Sequence, residues 1–502
     1  MALKGLTRKF KPLELLTEEQ IEEIHKATLE ILWATGVRVE HQQALELCER
    51  NSCRVDYNEN RVRIPPDVVE DCIRRAPSSF YTRARDSKND LMIGGNTLYL
   101  GEAPGQKTID LKTWEPRTPT RQENYDSVKV SDSLTHHHFF DSCSPFYGFK
   151  DVPTCMAMPE SLAARIRNST KCQWAGCANG SEIFALKMAE AVGIDVVLNF
   201  CYAPPLTVYQ ESVEGAFRFA EAGQPIRVLS GQVMGGTAPA TIAGGVVINN
   251  AEVLSGVVLV QLMKPGLGVI VKDFSSPQNM QTGSPDFGSI GACLHNAISN
   301  QIFRKYGIPI DNATCYPNSK IPDYQCGYEK AFRVMNAGLT GASTLLTFGS
   351  VHGELSSHPL QAILDDDLAG MVERFLDGVT VNTETLAVDL IKEVGPIPAH
   401  FLNKEHTRKW WKPEQFIPKA ADRLTYPEWV DTGKKSALDY AKERLEEILA
   451  THKPTPLTPK QEENIETILE EARRYYKKIG LISDEEMATY RRSMKSSNYP
   501  YA

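Results

Sequence analysis

Residues 196–202 read VVLNFCY, residues 209–222 read YQESVEGAFRFAEA, and residues 226–233 read IRVLSGQV. The first and third are short aliphatic runs of strand length. The second spaces its apolar residues as a helix does. A strand, a helix and a strand in that order make one parallel βαβ step. Outward in both directions the same alternation recurs. Candidate strands are 97–101, 137–143, 172–177, 196–202, 226–233, 268–274, 310–315 and 344–350. Candidate helices are 121–134, 159–170, 181–192, 209–222, 239–263, 287–306, 323–339 and 359–376. Eight such units predict an α/β fold of the (β/α)8 TIM-barrel class, with chemistry at the C-terminal ends of the strands.

The 502 residues exceed what a barrel needs. The division expected is an N-terminal α+β cap (1–95), the barrel (96–378) and a C-terminal helical extension (379–502). Thr17 with Gln20 three residues on predicts a capping box, and its helix should stop at Gly36. The charged C-terminal helices read either as an arm packed on this barrel or as an oligomerisation arm on a neighbour. Net charge is −8 with no basic stripe, which disfavours nucleic acid. Asn249, Asn250, Glu252 and Gln261 interrupt the most apolar stretch, 244–263, so no membrane span is expected. Eleven scattered cysteines and a basic, non-apolar N-terminus point to free thiols in a cytoplasmic protein.

Several residues at the strand ends carry chemistry. His136, His137 and His138 invite a metal reading, but strand alternation splits them between two faces. Cys172 and Cys177 lack zinc-knuckle spacing. No metal bound by this chain is expected. Gly235, Gly236 and Thr237 precede a long helix, either as a tight turn with Pro239 at the first helical position or as an anion contact. Tyr99, Phe139, Phe149, Trp174, Tyr202, Phe274, Tyr316 and Phe348 lie on or just past strands. Several converging at one mouth would form a box of π faces suited to a quaternary ammonium. His352, two residues past the last strand, suits a substrate carboxylate. Glu102, Glu252, Asp273, Asp323 and the run Asp365-Asp366-Asp367 are acidic, and no acid–base pair stands out by spacing. The catalytic residues remain unknown at this point.

The run Gly235-Gly236-Thr237-Ala238-Pro239, continued by Asn250-Ala251-Glu252-Val253-Leu254-Ser255-Gly256, resembles the trimethylamine methyltransferase superfamily. So do Thr282-Gly283, the stretch from Asn318-Ser319-Lys320 to Glu329-Lys330, and Asp365-Asp366-Asp367-Leu368-Ala369-Gly370. His400-Phe401-Leu402, His406-Thr407 and Trp429 fit the family's tail. The resemblance implies a barrel that moves a methyl group from a methylated amine to the Co(I) of a corrinoid carried by a partner protein, and a homo-oligomer. Founding members carry pyrrolysine near the place of Tyr316, where this chain has ordinary residues. It also departs at Pro317-Asn318, Gln281 and Ala399. Members lacking pyrrolysine act on quaternary amines. Such a substrate already has a neutral leaving group, so no proton need be delivered.

The expected substrate is glycine betaine, giving dimethylglycine. Proline betaine, carnitine or another methylamine stand as alternatives. So do a non-catalytic betaine-binding protein and a metal-dependent barrel hydrolase. The resemblance and the strand ends together assign Tyr99, Phe149, Phe274, Tyr316 and Phe348 to an ammonium box. His352, Gly235, Gly236 and Thr237 are assigned to the carboxylate.

Overall fold

The computed structural model describes residues 5–495 and residue 500. Eight parallel strands form a closed barrel: β1 (Thr97–Glu102), β2 (His137–Phe140), β3 (Cys172–Ala175), β4 (Val196–Cys201), β5 (Ile226–Ser230), β6 (Val269–Asp273), β7 (Ile310–Asn312) and β8 (Thr344–Phe348). Leu345 pairs with Leu100, which seals β8 against β1. Between them run α1 (Arg121–Ser133), α2 (Ala157–Asn168), α3 (Ser181–Val192), α4 (Gln210–Ala222), α5 (Ile242–Met263), α6 (Ile290–Tyr306), α7 (Tyr324–Thr340) and α8 (Pro359–Leu376). Every expected strand and helix is present, several shorter by two or three residues. Helix α5 starts at Ile242 with Thr241 as its N-cap, so Pro239 lies in the preceding turn and not at the first helical position.

Helix α5 is apolar on all sides because it is covered on all sides. By length and composition alone it passes for a membrane span, but 78% of its apolar window is buried in the protein, as in a core helix. The N-terminal helices Glu18–Glu30 and Pro66–Arg75 pack across it. The first of these carries the expected Thr17–Gln20 capping box and ends in a π turn, Ile31–Thr35, before Gly36. The N-terminal sheet is joined by Thr207–Val208 from the loop after β4, so cap and barrel share backbone hydrogen bonds.

A hairpin, Ser79–Thr82 with Leu91–Gly94, stops the N-terminal end of the barrel. Its Phe80, Leu91 and Ile93 join Tyr99, Phe139, Trp174, Val197 and Ile270 in one buried interior cluster. A Cβ on Gly268 would stand 2.8 Å from the Phe80 ring, so glycine permits this close approach.

The helix Ala437–Thr451 packs on α8 and α1, and Pro459–Lys478 packs on α3 and α2. Arg167 on α2 pairs with Glu462 and Glu466, both at 2.5 Å. Residues 437–494 are thus an arm folded on their own barrel. Between barrel and arm lie two short helices, Thr383–Leu386 and Val388–Val394, broken at Ala387. All eleven cysteines are free, nine of them buried.

Candidate active site

Charged residues break the apolar runs of three strands: Arg227 in β5, Lys272 in β6 and Asp311 in β7. Each is buried, and all point into the barrel together. The Arg227 guanidinium lies 4.1 Å above the Trp174 ring, which stacks on Phe139 at 4.4 Å. Arg227 donates to Asn199 Oδ1 at 2.8 Å and to Asp311 Oδ2 at 2.5 Å, and it also pairs with Asp141. Lys272 Nζ reaches Asp311 Oδ2 and the Asn312 carbonyl, each at 2.9 Å. Two cations therefore face two carboxylates, and the charge of this floor is balanced. Balance is what lets four ionised groups persist out of water.

Above the floor stand three rings. Phe274 follows β6 directly, Tyr316 follows β7, and Phe287 returns on the loop before α6. Their centroids are 5.7 Å (Phe274–Phe287), 5.4 Å (Phe287–Tyr316) and 6.1 Å (Phe274–Tyr316) apart. Tyr316 Oη donates to the Pro104 carbonyl at 2.8 Å, which fixes the ring. Phe274 and Phe287 stack on each other at an interplanar angle of 26°, and Tyr316 meets both at steep angles of 73° and 62°, so the rings pack against one another. They form one aromatic wall, not a box.

Beside the wall opens a cavity of about 520 Å³ at the C-terminal mouth, lined by the loops after β6, β7 and β8. Phe287 and Asp286 come from the first loop, Asn318 and Lys320 from the second, His352 and Glu354 from the third. The third loop is a small hairpin in which Ser350 pairs with Ser357 and Val351 with Ser356. Its turn passes through two successive left-handed residues, His352 (φ 59°) and Gly353 (φ 60°). Their N–H groups donate to the Ser319 and Pro317 carbonyls, each at 2.8 Å, which binds the turn to the β7 loop. Burial, then the Lys320 charge, pulls the His352 imidazole below its ordinary pKa. Burial pushes the Glu354 carboxyl above its ordinary value. The mouth is thus bipolar: Lys320 brings a cation and His352 an imidazole, and Glu354 and Asp286 bring carboxyl groups.

Of the expected site residues, His352 lines this cavity, and Phe274 and Tyr316 lie behind it, in contact with the lining ring of Phe287. Phe149 is buried in the loop after β2. Tyr99 lies at the opposite end: its hydroxyl accepts from Met92 of the basal hairpin at 3.4 Å, because the third residue of a barrel strand points near the entrance of the strand. Phe348 packs outside the barrel with Leu100, Leu360 and His137. The ladder shifts between Leu346 and Phe348, and that bulge turns Phe348 to the outer face. Gly235, Gly236 and Thr237 form an exposed turn whose N–H groups donate to the Ala238 and Val233 carbonyls. Their backbone N–H groups are closed on the turn itself, so the tight turn is what the structure holds.

The remaining candidates serve the scaffold. His136 pairs with Asp366 at 2.9 Å, His137 with Glu102 at 3.0 Å, and His138 Nδ1 accepts from Leu100 N at 3.0 Å, so the three histidines diverge. Among the described residues no three His, Cys, Asp or Glu are grouped to hold a metal ion. Asp365 pairs with Lys330, and Asp367 accepts from the N–H groups of Lys419, Ala420 and Ala421. Glu252 accepts from Gln232 and Leu206 N, Asp273 from Asn296 and His295, and Asp323 caps α7. Phe287, Lys320, Glu354 and the charged floor were not singled out from sequence. Charged residues inside apolar strands were the signal for the floor.

The sequence profile of the family Trimethylamine methyltransferase (MTTB) matches residues 1–476. A glycine betaine methyltransferase of Desulfitobacterium hafniense is 31% identical over 471 residues, covering 91% of this chain and 96% of the relative. A trimethylamine methyltransferase, MttB, from another strain of that species is 30% identical over 92% of this chain and 94% of its own length. The solved monomethylamine methyltransferase of Methanosarcina barkeri aligns over 94% of this chain and 90% of its own, with a TM-score of 0.52 at 12% identity, and so shares the fold. This chain belongs to the trimethylamine methyltransferase family.

Proposed function

We propose that the chain transfers a methyl group from a betaine, a quaternary ammonium carrying a carboxylate, to the Co(I) of a corrinoid on a partner protein. The observation that supports this reading is the bipolar cavity beside an aromatic wall. A zwitterion matches it end for end. Its carboxylate goes to Lys320 and His352, in place of the glycine turn first considered. Its ammonium goes to the Phe274–Phe287–Tyr316 wall. The D. hafniense relative named for glycine betaine favours that substrate. At about 30 Å³ per water-sized group, the eight heavy atoms of glycine betaine fill under about 240 Å³. A cavity of about 520 Å³ therefore also admits proline betaine and carnitine.

The corrinoid supplies a nucleophilic cobalt with two electrons to give. The methyl C–N bond breaks, its electron pair stays on nitrogen, and a neutral tertiary amine leaves. The chain's residues orient one N-methyl toward the open mouth and exclude water around the cation. No residue has to move a proton in this step.

The test mixes free Co(I) cobalamin with the protein and a panel: glycine betaine, proline betaine, carnitine, γ-butyrobetaine, choline and trimethylamine. Methylation is read by absorbance. Turnover with a betaine and not with choline or trimethylamine is the expected result. Turnover with trimethylamine alone overturns the leaving-group argument. Betaine binding by calorimetry without turnover, in the presence of the cognate corrinoid protein, identifies a binding protein instead.

A further inference from the structure

We infer that Glu354 is the anionic partner of the substrate's quaternary ammonium, a binding residue that completes what the aromatic wall leaves open. This inference rests on the betaine reading of the same cavity. Three observations carry it. The first is the wall itself. Among the described residues that line the cavity Phe287 supplies the one phenyl ring, so a cation placed there lacks the enclosing rings that would hold it by π faces alone. A second attractive group is needed across from the wall.

The second observation is the state of Glu354. It is half-buried and lines the same cavity as Phe287. Among the described residues its carboxylate accepts no hydrogen bond and joins no ion pair, and burial is what raises its pKa. A carboxylate withdrawn from water without a partner is costly unless it is protonated or meets a cation. The neighbouring carboxylates differ: Asp286 accepts from Asn318, and Asp141 and Asp311 are spent on Arg227 and Lys272. The third observation is placement. Glu354 lies on the hairpin after β8 and lines one cavity with Phe287 of the wall and with Lys320 and His352, so a zwitterion held by Lys320 and His352 has its ammonium within the space that Glu354 and Phe287 bound. The left-handed turn at His352-Gly353 and the Gln106 N–H, which donates to the Glu354 carbonyl at 3.1 Å, hold it there.

A quaternary ammonium has no N–H to donate, so a full negative charge attracts it more strongly than the dipole of a neutral acceptor does. Glu354→Gln keeps size and shape and removes that charge. The experiment titrates wild type and E354Q by calorimetry with three probes: tetramethylammonium, glycine betaine, and 3,3-dimethylbutyrate, whose central carbon replaces the nitrogen. The expected result is that E354Q weakens the first two at least tenfold and leaves the third within twofold. Equal loss for all three probes marks a structural role and overturns the inference. Unchanged binding of both cations overturns it too. If wild type binds neither cation the inference also fails, whereas the methyl-transfer reading is judged separately by the cobalamin panel.

Discussion

Lys330, on α7, is 1% exposed and pairs with Asp365, also 1% exposed, at 2.9 Å. Its other hydrogen bonds go to the Thr347 carbonyl at 2.9 Å, the Ser350 carbonyl at 3.1 Å and Ser350 Oγ at 3.0 Å. Ser350 begins the hairpin that carries His352 and Glu354, so one ammonium ties α7, α8 and the site hairpin together. Lys330→Met leaves the Asp365 charge buried with Gln361 and the Gly349 N–H as its partners. Removing one member of a buried pair costs about 3–5 kcal/mol. Unfolding entropy near 2.1 cal/mol/K per residue gives this chain of 502 residues roughly 1 kcal/mol per degree at the midpoint. The single variant should therefore melt about 3–5 °C lower by calorimetry. The double variant K330M/D365N removes the stranded charge and should recover at least half of that loss. Betaine affinity should follow the same order, because the hairpin is loosened where it starts. A double variant that melts at or below the single would refute the argument, because charge imbalance would then not be the source of the loss.

Phe287→Leu thins the aromatic wall. Betaine affinity should fall about 3–10-fold, as expected for about 1 kcal/mol of cation–π attraction, with 3,3-dimethylbutyrate as the unaffected control in calorimetry. Burial lowers the His136 pKa, but Asp366 and Glu373 outweigh it and raise it to about 9. Its contribution is therefore full below about pH 6.5 and is lost as pH rises through about 9. Because Glu373 is 44% exposed, screening limits this to about 2 kcal/mol. H136Q should flatten the melting-temperature profile across that window by about 2 °C, and an unchanged profile would count against the pair. Asp367→Asn weakens three charge-assisted bonds to Lys419, Ala420 and Ala421, and hydrogen exchange at those amides should quicken at least tenfold.

The barrel was legible because its signals are local. Each strand is an apolar run with turn residues at its ends, and each helix has its own period. The site was legible in proportion to its distance from a strand end. Phe274 directly follows β6 and Tyr316 lies four residues past β7, and strand ends are where a barrel collects its chemistry. Phe287 and Glu354 lie well down loops whose return to the mouth depends on contacts with other loops, such as the donation of His352 N to the Ser319 carbonyl. Phe348 shows a different limit. Alternation from Leu346 places it inside, and a single bulge reverses that, which period-two patterning cannot foresee. Tyr99 was misplaced although its early position in β1 already set it near the base. The glycine turn left two readings open because loose N–H groups and N–H groups closed on their own turn have the same sequence.

The hairpin that stops the base of the barrel makes the molecule a cul-de-sac. Whatever enters past Glu354 must leave by the same door, since Phe80, Leu91 and Ile93 fill the other end. A partner seated over the mouth to receive a methyl group would hold the demethylated amine behind it. Departure then has an order: the partner first, the small product second, and the next substrate only after both. A cargo-carrying partner that lingers would set the pace of the whole cycle, however fast the bond exchange itself.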